Sequence, residues 1–169
     1  MKLVMVNLVI MAGGEGRRLR PLTRDIPKPM VPVLDKPLLE HIIFMLAGYG
    51  FREFILTLHY RPDSVIRYFR DGSHMGVRIR YSVERRPLGT AGGVKAALPS
   101  KPDDLVIVWS GDVVASIDLE ELLDFHEENG ADVTMAAARV EDPTPYGMII
   151  PSDDMRVRAM WRNPAPRTP

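Results

Sequence analysis

Cysteine is absent from this 169-residue chain, which excludes both a disulfide framework and a thiolate metal site. The absence fits a reducing compartment, and we therefore expect a cytoplasmic protein. The histidines show no spacing typical of metal ligands. We expect each of the four to be a surface or half-buried residue rather than a ligand: His41, His59, His74 and His126.

Net charge and long apolar segments are absent as well. The 22 basic residues balance 22 acidic ones, so no overall field attracts nucleic acid or an acidic membrane. No apolar run approaches the ~20 residues that a membrane-spanning helix needs. The apolar stretch that ends at Ala12 could pass for a short secretory signal, but Asn7 interrupts it and a charged loop follows. This pattern favours a buried strand, and we expect neither a nucleic-acid partner nor a membrane.

Strand and helix patterns alternate along the chain. Strands are predicted at 3–12, 31–34, 53–58, 77–83, 105–109 and 132–138, helices at 36–48, 62–71, 91–98 and 118–129, and a closing strand pair at 146–150 and 157–161. This alternation is typical of βαβ units. The predicted fold class is therefore α/β, a three-layer α/β/α sandwich around a mainly parallel, Rossmann-like sheet. Residues 1–162 form one domain, followed by a proline-rich and frayed tail at 163–169.

The first predicted strand runs into a loop rich in glycine and arginine. Ala12 is followed by Gly13, Gly14 and Gly16, then by four arginines and Lys28. Glycines let backbone N–H groups approach a ligand closely, and successive N–H groups turned inward form a concavity for anions. The segment therefore predicts a cradle for a nucleoside triphosphate.

Two common phosphate motifs do not account for this loop. The dinucleotide fingerprint needs a small residue where Leu19 stands, and no G-x-x-x-x-G-K-[S/T] sequence occurs. The loop instead resembles the signature of the sugar nucleotidyltransferases, A-G-G-x-G-T-R-L-x-P-L-T followed by P-K-P, although Arg17 stands where the family usually has Thr or Ser. The resemblance implies the nucleotide-diphospho-sugar transferase type of fold. It also implies that Arg18 grips the β- and γ-phosphates and that Lys28 stabilises charge on the α-phosphate.

A second segment joins a predicted strand to a helix at 84–93. Its small residues would let a flat base lie against the backbone at the mouth of an α/β site. The segment resembles the family motif E-x-x-P-L-G-T-A-G, which implies that Glu84, Pro87, Gly89 and Thr90 bind the nucleotide. This form of the motif is more typical of guanylyl- and uridylyl-transferring members of the family than of thymidylyl-transferring members. A merely structural turn is the alternative.

A third segment, Ser110-Gly111-Asp112, follows the predicted strand at 105–109. A carboxylate at the carboxyl end of a central strand points into the ligand crevice, and Mg²⁺ prefers one or two carboxylates with phosphate oxygens. The segment resembles the family's (N/S)-G-D motif. This implies that Asp112 is a magnesium ligand and that Gly111 lies at the nucleotide.

The end of the chain resembles the family less well. The segment 146–150 resembles Y-G-x-(V/I), which implies that Gly147 approaches the sugar, although an ordinary strand entrance would have the same sequence. Where the family has Glu-Lys-Pro, this chain has Arg162-Asn163-Pro164. We expect a truncated or naturally shortened form that lacks the family's further sugar-binding segment.

The resemblance implies a Mg²⁺-dependent transfer of a nucleotidyl group from GTP, or less favourably UTP, to a sugar 1-phosphate. The products would be a nucleoside-diphosphate sugar and pyrophosphate. No general base is expected, because a sugar 1-phosphate is already an ionised nucleophile. The alternative is a catalytically impaired module of the same fold that binds nucleotide or regulates a partner subunit. Assembly with itself is also open, and the sequence does not identify the sugar.

Overall fold

The computed structural model describes residues 6–98, 105–142 and 146–161, which divide into two compact units with the boundary between Ser116 and Ile117. The elements of the first unit are β1 (Asn7–Met11), β2 (Pro32–Val33), β3 (Lys36–Pro37), α1 (Leu38–Gly48), β4 (Glu53–Leu58), α2 (Pro62–Phe69), β5 (Arg78–Val83), α3 (Gly89–Ala97) and β6 (Val106–Ser110). Those of the second unit are α4 (Leu119–Glu128), β7 (Met148–Pro151) and β8 (Val157–Trp161). The first unit contains every strand of the parallel sheet.

The central sheet is wholly parallel and has the order β5-β4-β1-β6. Strand β1 lies in the middle, where Leu8 is in register with Phe54 on one side and Ile107 on the other. The chain runs from β1 outward to β4 and β5 and then returns to the opposite side of β1 as β6. The strand order therefore reverses at β1, and ligands of open α/β sheets bind beyond the carboxyl ends of the strands at such a point.

Apolar side chains on α1 and α2 form much of the core. Leu39, Ile42 and Leu46 of α1 are fully buried, at the spacing that puts them on one face of a helix. In α2, Val65 and Phe69 are fully buried, and a proline occupies the first turn, where its missing N–H costs nothing. The bounds of both helices agree with the sequence prediction within two residues.

The second unit contains the predicted helix and closing hairpin. Helix α4 begins after Asp118, whose carboxylate accepts hydrogen bonds from the backbone N–H groups of Glu120 and Glu121, each at 3.0 Å. The predicted N-cap is therefore confirmed. Strands β7 and β8 pair antiparallel, with Met148 opposite Trp161, as the prediction of a closing pair requires.

The prediction of a strand at 132–138 is wrong, because this segment has no regular secondary structure. Its alternating apolar residues suggested a strand, but Val133 is 76% exposed and Met135 is 45% exposed. A strand needs neighbouring backbone groups to satisfy its N–H and C=O groups. Among the described residues no strand pairs with this segment, and hydrophobic alternation alone does not supply a partner.

The predicted α/β class is confirmed, with a mainly parallel sheet flanked by helices. In the described part of the chain, no helix is long and apolar enough to cross a membrane. Several predictions fall outside the described residues: the start of the first strand at 3–5, the tail at 163–169 and the replaced motif at Arg162-Asn163-Pro164.

Candidate functional site

A cavity of about 360 Å³ lies in the first unit at the carboxyl ends of the parallel strands. Met11 at the end of β1, Thr57 in β4 and Ser110 at the end of β6 contribute to its wall. The other residues that line it come from the loops that follow these strands, from the turn before α3 and from the start of α3: Gly13, Gly14, Lys28, Pro29, His59, Glu84, Pro87, Gly89, Thr90 and Asp112. Segments that the sequence analysis assigned to one ligand therefore line one cavity.

The charged centre of the cavity is an ion pair between Lys28 and Asp112. Lys28 begins a short 3₁₀ turn that ends at Met30, and Asp112 follows β6. The hydroxyl of Ser110 donates a second hydrogen bond to Asp112, at 2.6 Å. Partial burial opposes ionisation of Asp112, but the hydrogen bonds from Lys28 and Ser110 and the charge of Lys28 outweigh it, so the pKa lies below its ordinary value. Asp112 is therefore a carboxylate at neutral pH.

Gly111 and Ala12 lie behind the cavity rather than in its wall. The N–H of Gly111 donates to the carbonyl of Met11 at 2.9 Å, and a Cβ at position 111 would lie only 2.7 Å from that same oxygen. Ala12 is buried and its N–H donates to the carbonyl of Thr57 at 2.9 Å. Glycine at 111 is therefore required for β6 to approach β1 so closely, and this approach places Asp112 at the cavity.

The glycine loop splits into a lining part and a folding part. Gly13 and Gly14 line the cavity, and a Cβ at Gly14 would meet nothing within 4 Å. Gly16 has a φ of +66°, and a Cβ there would lie 2.8 Å from Cβ of Lys28. The hydroxyl of Thr23 donates to the carbonyl of Gly16 at 2.7 Å. Gly16 thus lets the loop fold back against Lys28 and does not itself line the cavity.

Arg18, which the family resemblance implied at the phosphates, is exposed and is not among the residues that line the cavity. Its neighbours Arg17 and Arg20 both pair with Glu15, the latter at 3.1 Å. The hydrogen bond from Arg17 is the largest influence that lowers the pKa of Glu15. Part of the loop's positive charge is therefore neutralised locally, whereas Arg18 forms no ion pair with any described residue.

Glu84 both lines the cavity and braces the turn that leads into α3. One carboxylate oxygen accepts a hydrogen bond from the N–H of Leu88 at 3.0 Å. The other lies so close to Gly93 that a Cβ at that position would come within 2.3 Å of it. Gly89, the first residue of α3, has a φ of +73°. The motif at 84–93 therefore has a structural role, and the nucleotide contact predicted for it stays a prediction.

Sequence reasoning assigned no role to Thr57, near the end of β4, or to His59, directly after β4, and both line the same cavity. The rule that led to Asp112 applies equally to β4, because residues at the carboxyl end of any central parallel strand face the ligand crevice. The imidazole Nδ1 of His59 lies 3.0 Å from the carbonyl oxygen of Glu84. The feature of the sequence that could have identified His59 as a cavity residue is therefore its position directly after a buried strand. The lack of a metal-ligand spacing gives no information on this point.

Gly147, predicted near the sugar, belongs to the second unit and directly precedes β7. A Cβ at this position would meet the carbonyl oxygen of Trp161 at 3.6 Å, an ordinary van der Waals distance. The hairpin by itself therefore does not require glycine here, and the proposed contact of Gly147 with a sugar stays a prediction.

Comparison with known proteins gives a consistent family. Residues 7–168 match the family model described as nucleotidyl transferase. A mannose-1-phosphate guanylyltransferase of Mycobacterium tuberculosis is 42% identical over 154 residues, which is 91% of this chain and 43% of that protein. A UTP--glucose-1-phosphate uridylyltransferase of Synechocystis is 34% identical over 173 residues, covering 95% of this chain and 45% of that protein.

Among solved structures, HddC from Yersinia pseudotuberculosis complexed with GMP-PN superposes with a TM-score of 0.82 at 30% identity, covering 94% of this chain and 70% of that one. The chain spans about two-fifths of the length of the curated relatives it matches. The family match covers nearly all of it. The chain therefore belongs to the nucleotidyl transferase family.

Proposed function

We propose that this chain transfers a nucleotidyl group from a nucleoside triphosphate, GTP in preference to UTP, to a sugar 1-phosphate. The observation that carries the proposal is the meeting of Lys28 and Asp112 in one cavity that Gly13, Gly14 and Glu84 also line. A cation, a carboxylate and exposed backbone N–H groups are the parts that a triphosphate with its metal requires. The printed names of the relatives support a sugar 1-phosphate as acceptor.

The proposed reaction is an in-line displacement at the α-phosphorus. A phosphate oxygen of the sugar 1-phosphate forms a bond to this phosphorus, and the bond from phosphorus to the oxygen that bridges to the β-phosphate breaks. Pyrophosphate leaves with that electron pair. Because the attacking oxygen is already ionised, no side chain has to remove a proton. The protein needs only to position two anions and neutralise their repulsion.

The side chains divide this work by position. The ammonium of Lys28 would stabilise charge on the α-phosphate, and the N–H groups of Gly13 and Gly14 would bind the phosphate chain. Arg18 would reach the β- and γ-phosphates from outside the cavity wall, since its exposed guanidinium has no ion-pair partner among the described residues. Gly16 and Gly111 would act through the loop shapes that they allow.

The donor set of the cavity fits Mg²⁺. The described residues contain no cluster of three or more side chains that could hold a metal by themselves. Mg²⁺ takes one or two carboxylates together with phosphate oxygens and water, so Asp112 alone is a sufficient protein ligand when a triphosphate is present. When bound, the metal would supply positive charge between the phosphates. The lowered pKa of Asp112 keeps the carboxylate ionised for this purpose.

Guanine is proposed as the base on two grounds. The turn that contains Glu84, Pro87, Gly89 and Thr90 lines the cavity and has the sequence typical of guanylyl- and uridylyl-transferring members of the family. Several relatives are named for guanylyl transfer, and the structural neighbour contains GMP-PN.

Two further parts of the proposal concern the sugar and the location of the protein. Gly147 is proposed to approach the sugar, and a cytoplasmic location is proposed from the absence of cysteine.

The test is pyrophosphate release in the presence of Mg²⁺, GTP or UTP and a panel of sugar 1-phosphates. We expect release with GTP, and we expect Arg18→Ala to abolish it. Arg80→Ala is the matched control, because Arg80 is exposed on β5 and does not line the cavity. Failure of the chain to bind GTP or UTP would overturn the proposal.

The alternative function is a nucleotide-binding or regulatory module, acting alone or with a partner subunit. The exposure of Arg18 outside the cavity wall and the presence of Arg17 in place of Thr or Ser favour it. Saturable GTP binding without pyrophosphate release, for every sugar 1-phosphate tested, would establish this alternative.

A further inference from the structure

Three consecutive residues after β4, His59, Tyr60 and Arg61, contact three of the segments at the cavity. We refer to them as the His59–Arg61 turn. No motif of the sequence analysis includes them, and only His59 lines the cavity. These segments are the glycine loop (13–16), the arginine-rich loop (17–25) and the turn that begins at Glu84, which we call the Glu84 turn.

The contact with the Glu84 turn comes from the imidazole of His59. Its Nδ1 lies 3.0 Å from the carbonyl oxygen of Glu84. A carbonyl oxygen can only accept a hydrogen bond, so Nδ1 carries a proton and donates it. The backbone of His59 also packs against Gly13, where an added Cβ would lie 3.1 Å from the backbone nitrogen of His59. His59 therefore touches two of the loops at once.

Tyr60 and Arg61 provide the contacts with the glycine and arginine-rich loops. The N–H of Tyr60 donates to the carbonyl of Gly13 at 3.4 Å, and its hydroxyl donates to the carbonyl of Arg24 at 2.7 Å. The guanidinium of Arg61 pairs with Asp25 at 3.3 Å and lies 5.7 Å from the ring centre of Tyr60. Arg61 has a φ of +47°, which is uncommon outside glycine and lets the chain turn directly into α2.

We propose that the His59–Arg61 turn is a positioning element. It fixes the distance between the glycine loop, which is proposed to bind the phosphates, and the turn that begins at Glu84, which is proposed to bind the base. It rests on the proposed function, because the loops matter only if a nucleoside triphosphate spans them. Tyr60 and Arg61 act through the loops that they hold and need not touch the ligand. Loosening this turn reduces affinity for a whole nucleotide, since a triphosphate and its base are bound together only when both loops are in place.

The first test is Tyr60→Phe, with GTP affinity measured in Mg²⁺ on the full chain. The change keeps the ring but removes the hydroxyl, and with it both the bond donated to Arg24 and the bond that the hydroxyl accepts from Nε of Arg61 at 3.2 Å. Tyr81→Phe is the matched control, because the Tyr81 hydroxyl also donates to a backbone carbonyl, that of Arg70, and Tyr81 does not line the cavity. Tyr60→Phe loses two hydrogen bonds and Tyr81→Phe loses one, so Tyr60→Phe should have the somewhat lower melting temperature of the two. At a temperature where both variants are fully folded, only Tyr60→Phe should weaken GTP binding, by about fivefold.

The second test separates the two nitrogens of His59. Asn places a donor near the position of Nδ1, whereas Gln places its amide near Nε2. If His59 acts by holding the Glu84 carbonyl, His59→Asn should bind GTP within about twofold of the wild type and His59→Gln about fivefold more weakly. The opposite order would show that His59 acts on the ligand through Nε2, and it would overturn the positioning role.

The outcomes for the two proposals are distinct. If the wild-type chain binds neither GTP nor UTP, the proposed function fails and this inference fails with it. If the wild-type chain binds GTP and Tyr60→Phe binds it as tightly as Tyr81→Phe does, only the inference fails. Selective weakening in Tyr60→Phe and His59→Gln, measured at a temperature where these variants and Tyr81→Phe are all fully folded, supports the inference.

Discussion

Lys28 and Asp112 are separated by 84 positions in the chain, yet their side chains form an ion pair in the cavity. The side chains are 34% and 28% exposed, so water can replace either partner without leaving a fully buried charge. In the free protein, the Lys28 ammonium and the Asp112 carboxylate are therefore paired with each other. A triphosphate would compete for Lys28 and a divalent cation would compete for Asp112, so we infer that binding of a metal–nucleotide complex exchanges this pair for two new ones.

The exchange predicts opposite effects of Asp112→Asn with and without metal. In EDTA, the substitution removes a negative charge and frees the Lys28 ammonium, so metal-free GTP should bind about fivefold more tightly than to the wild type. In Mg²⁺, the same variant lacks the proposed metal ligand and should bind GTP more weakly than the wild type. Calorimetric titration in the two buffers measures both values.

Lys28→Gln is the matched control for this experiment. It removes the cation and keeps the carboxylate, so GTP affinity should fall in both buffers. A wild-type affinity for metal-free GTP equal to that of Asp112→Asn would show that the ion pair does not restrain Lys28.

Acidification should destabilise the wild type more than Asp112→Asn. The pKa of Asp112 in the folded state lies below its ordinary value of 3.8, so the folded chain binds fewer protons than the unfolded chain near that pH. The stabilisation is therefore complete above the ordinary value and is lost as the pH falls through the lowered one. Urea unfolding from neutral pH down to about pH 3 measures this loss in both proteins.

Other carboxylates with lowered pKa values, such as Glu15 and Asp71, are the same in both proteins and cancel in the comparison. A difference in the free energy of unfolding between wild type and Asp112→Asn that stays constant with pH would contradict the prediction.

Alanine substitutions at Gly111 and Gly14 should have different effects, the first on stability and the second on GTP binding. Gly111→Ala places a Cβ 2.7 Å from the carbonyl oxygen of Met11, and because that oxygen belongs to the backbone of β1, relief is costly. We expect a loss of about 2 kcal/mol in the free energy of unfolding. Gly14→Ala meets nothing within 4 Å, so stability should be retained, but a methyl group in the cavity wall should weaken GTP binding.

Gly48→Ala, at the end of α1, is the control for both substitutions because its Cβ also meets nothing within 4 Å and it does not line the cavity. It should be neutral in GTP affinity and neutral or stabilising in urea. A stable Gly111→Ala would show that β6 can move away from β1 at little cost.

The sequence predicted those features that local chemistry determines. Strand β4 has the predicted bounds, because a continuous apolar run followed by a turn is typical of a buried parallel strand. The N-cap Asp118 was also predictable, since it needs only the two N–H groups that follow it. The hydrogen-bond donors to Asp118 lie in its own helix, and the burial of β4 is apparent from the residues of the strand itself.

Features that depend on distant partners were missed. The segment at 132–138 has strand-like alternation, but no described strand supplies the hydrogen bonds that it needs. Arg18 was assigned to the ligand from a motif; it is exposed and does not line the cavity, so its contact with the phosphates stays a prediction. His59 was set aside for lack of a metal-ligand spacing, while its place in the cavity follows from the order of strands β1 and β4.

Gly93 provides a test of whether Glu84 is held rigidly at the cavity. Glycine in the interior of a helix costs about 1 kcal/mol relative to alanine, so Gly93→Ala in α3 should stabilise the chain if space is available. Space is lacking, because the added Cβ would lie 2.3 Å from a carboxylate oxygen of Glu84. That carboxylate also accepts from the N–H of Leu88, so moving it breaks this bond. We therefore expect Gly93→Ala to destabilise the wild-type chain by about 1 kcal/mol and to weaken GTP binding.

The decisive measurement is the same substitution in a Glu84→Ala background. With the carboxylate removed, the steric conflict is absent and the helix propensity of alanine should dominate, so Gly93→Ala should become stabilising by about 1 kcal/mol. The sign of the change in unfolding free energy thus reverses between the two backgrounds, which a double-mutant cycle detects directly. An equal effect in both backgrounds would mean that Glu84 swings aside freely, and its carboxylate would then be no brace for the turn that lines the cavity.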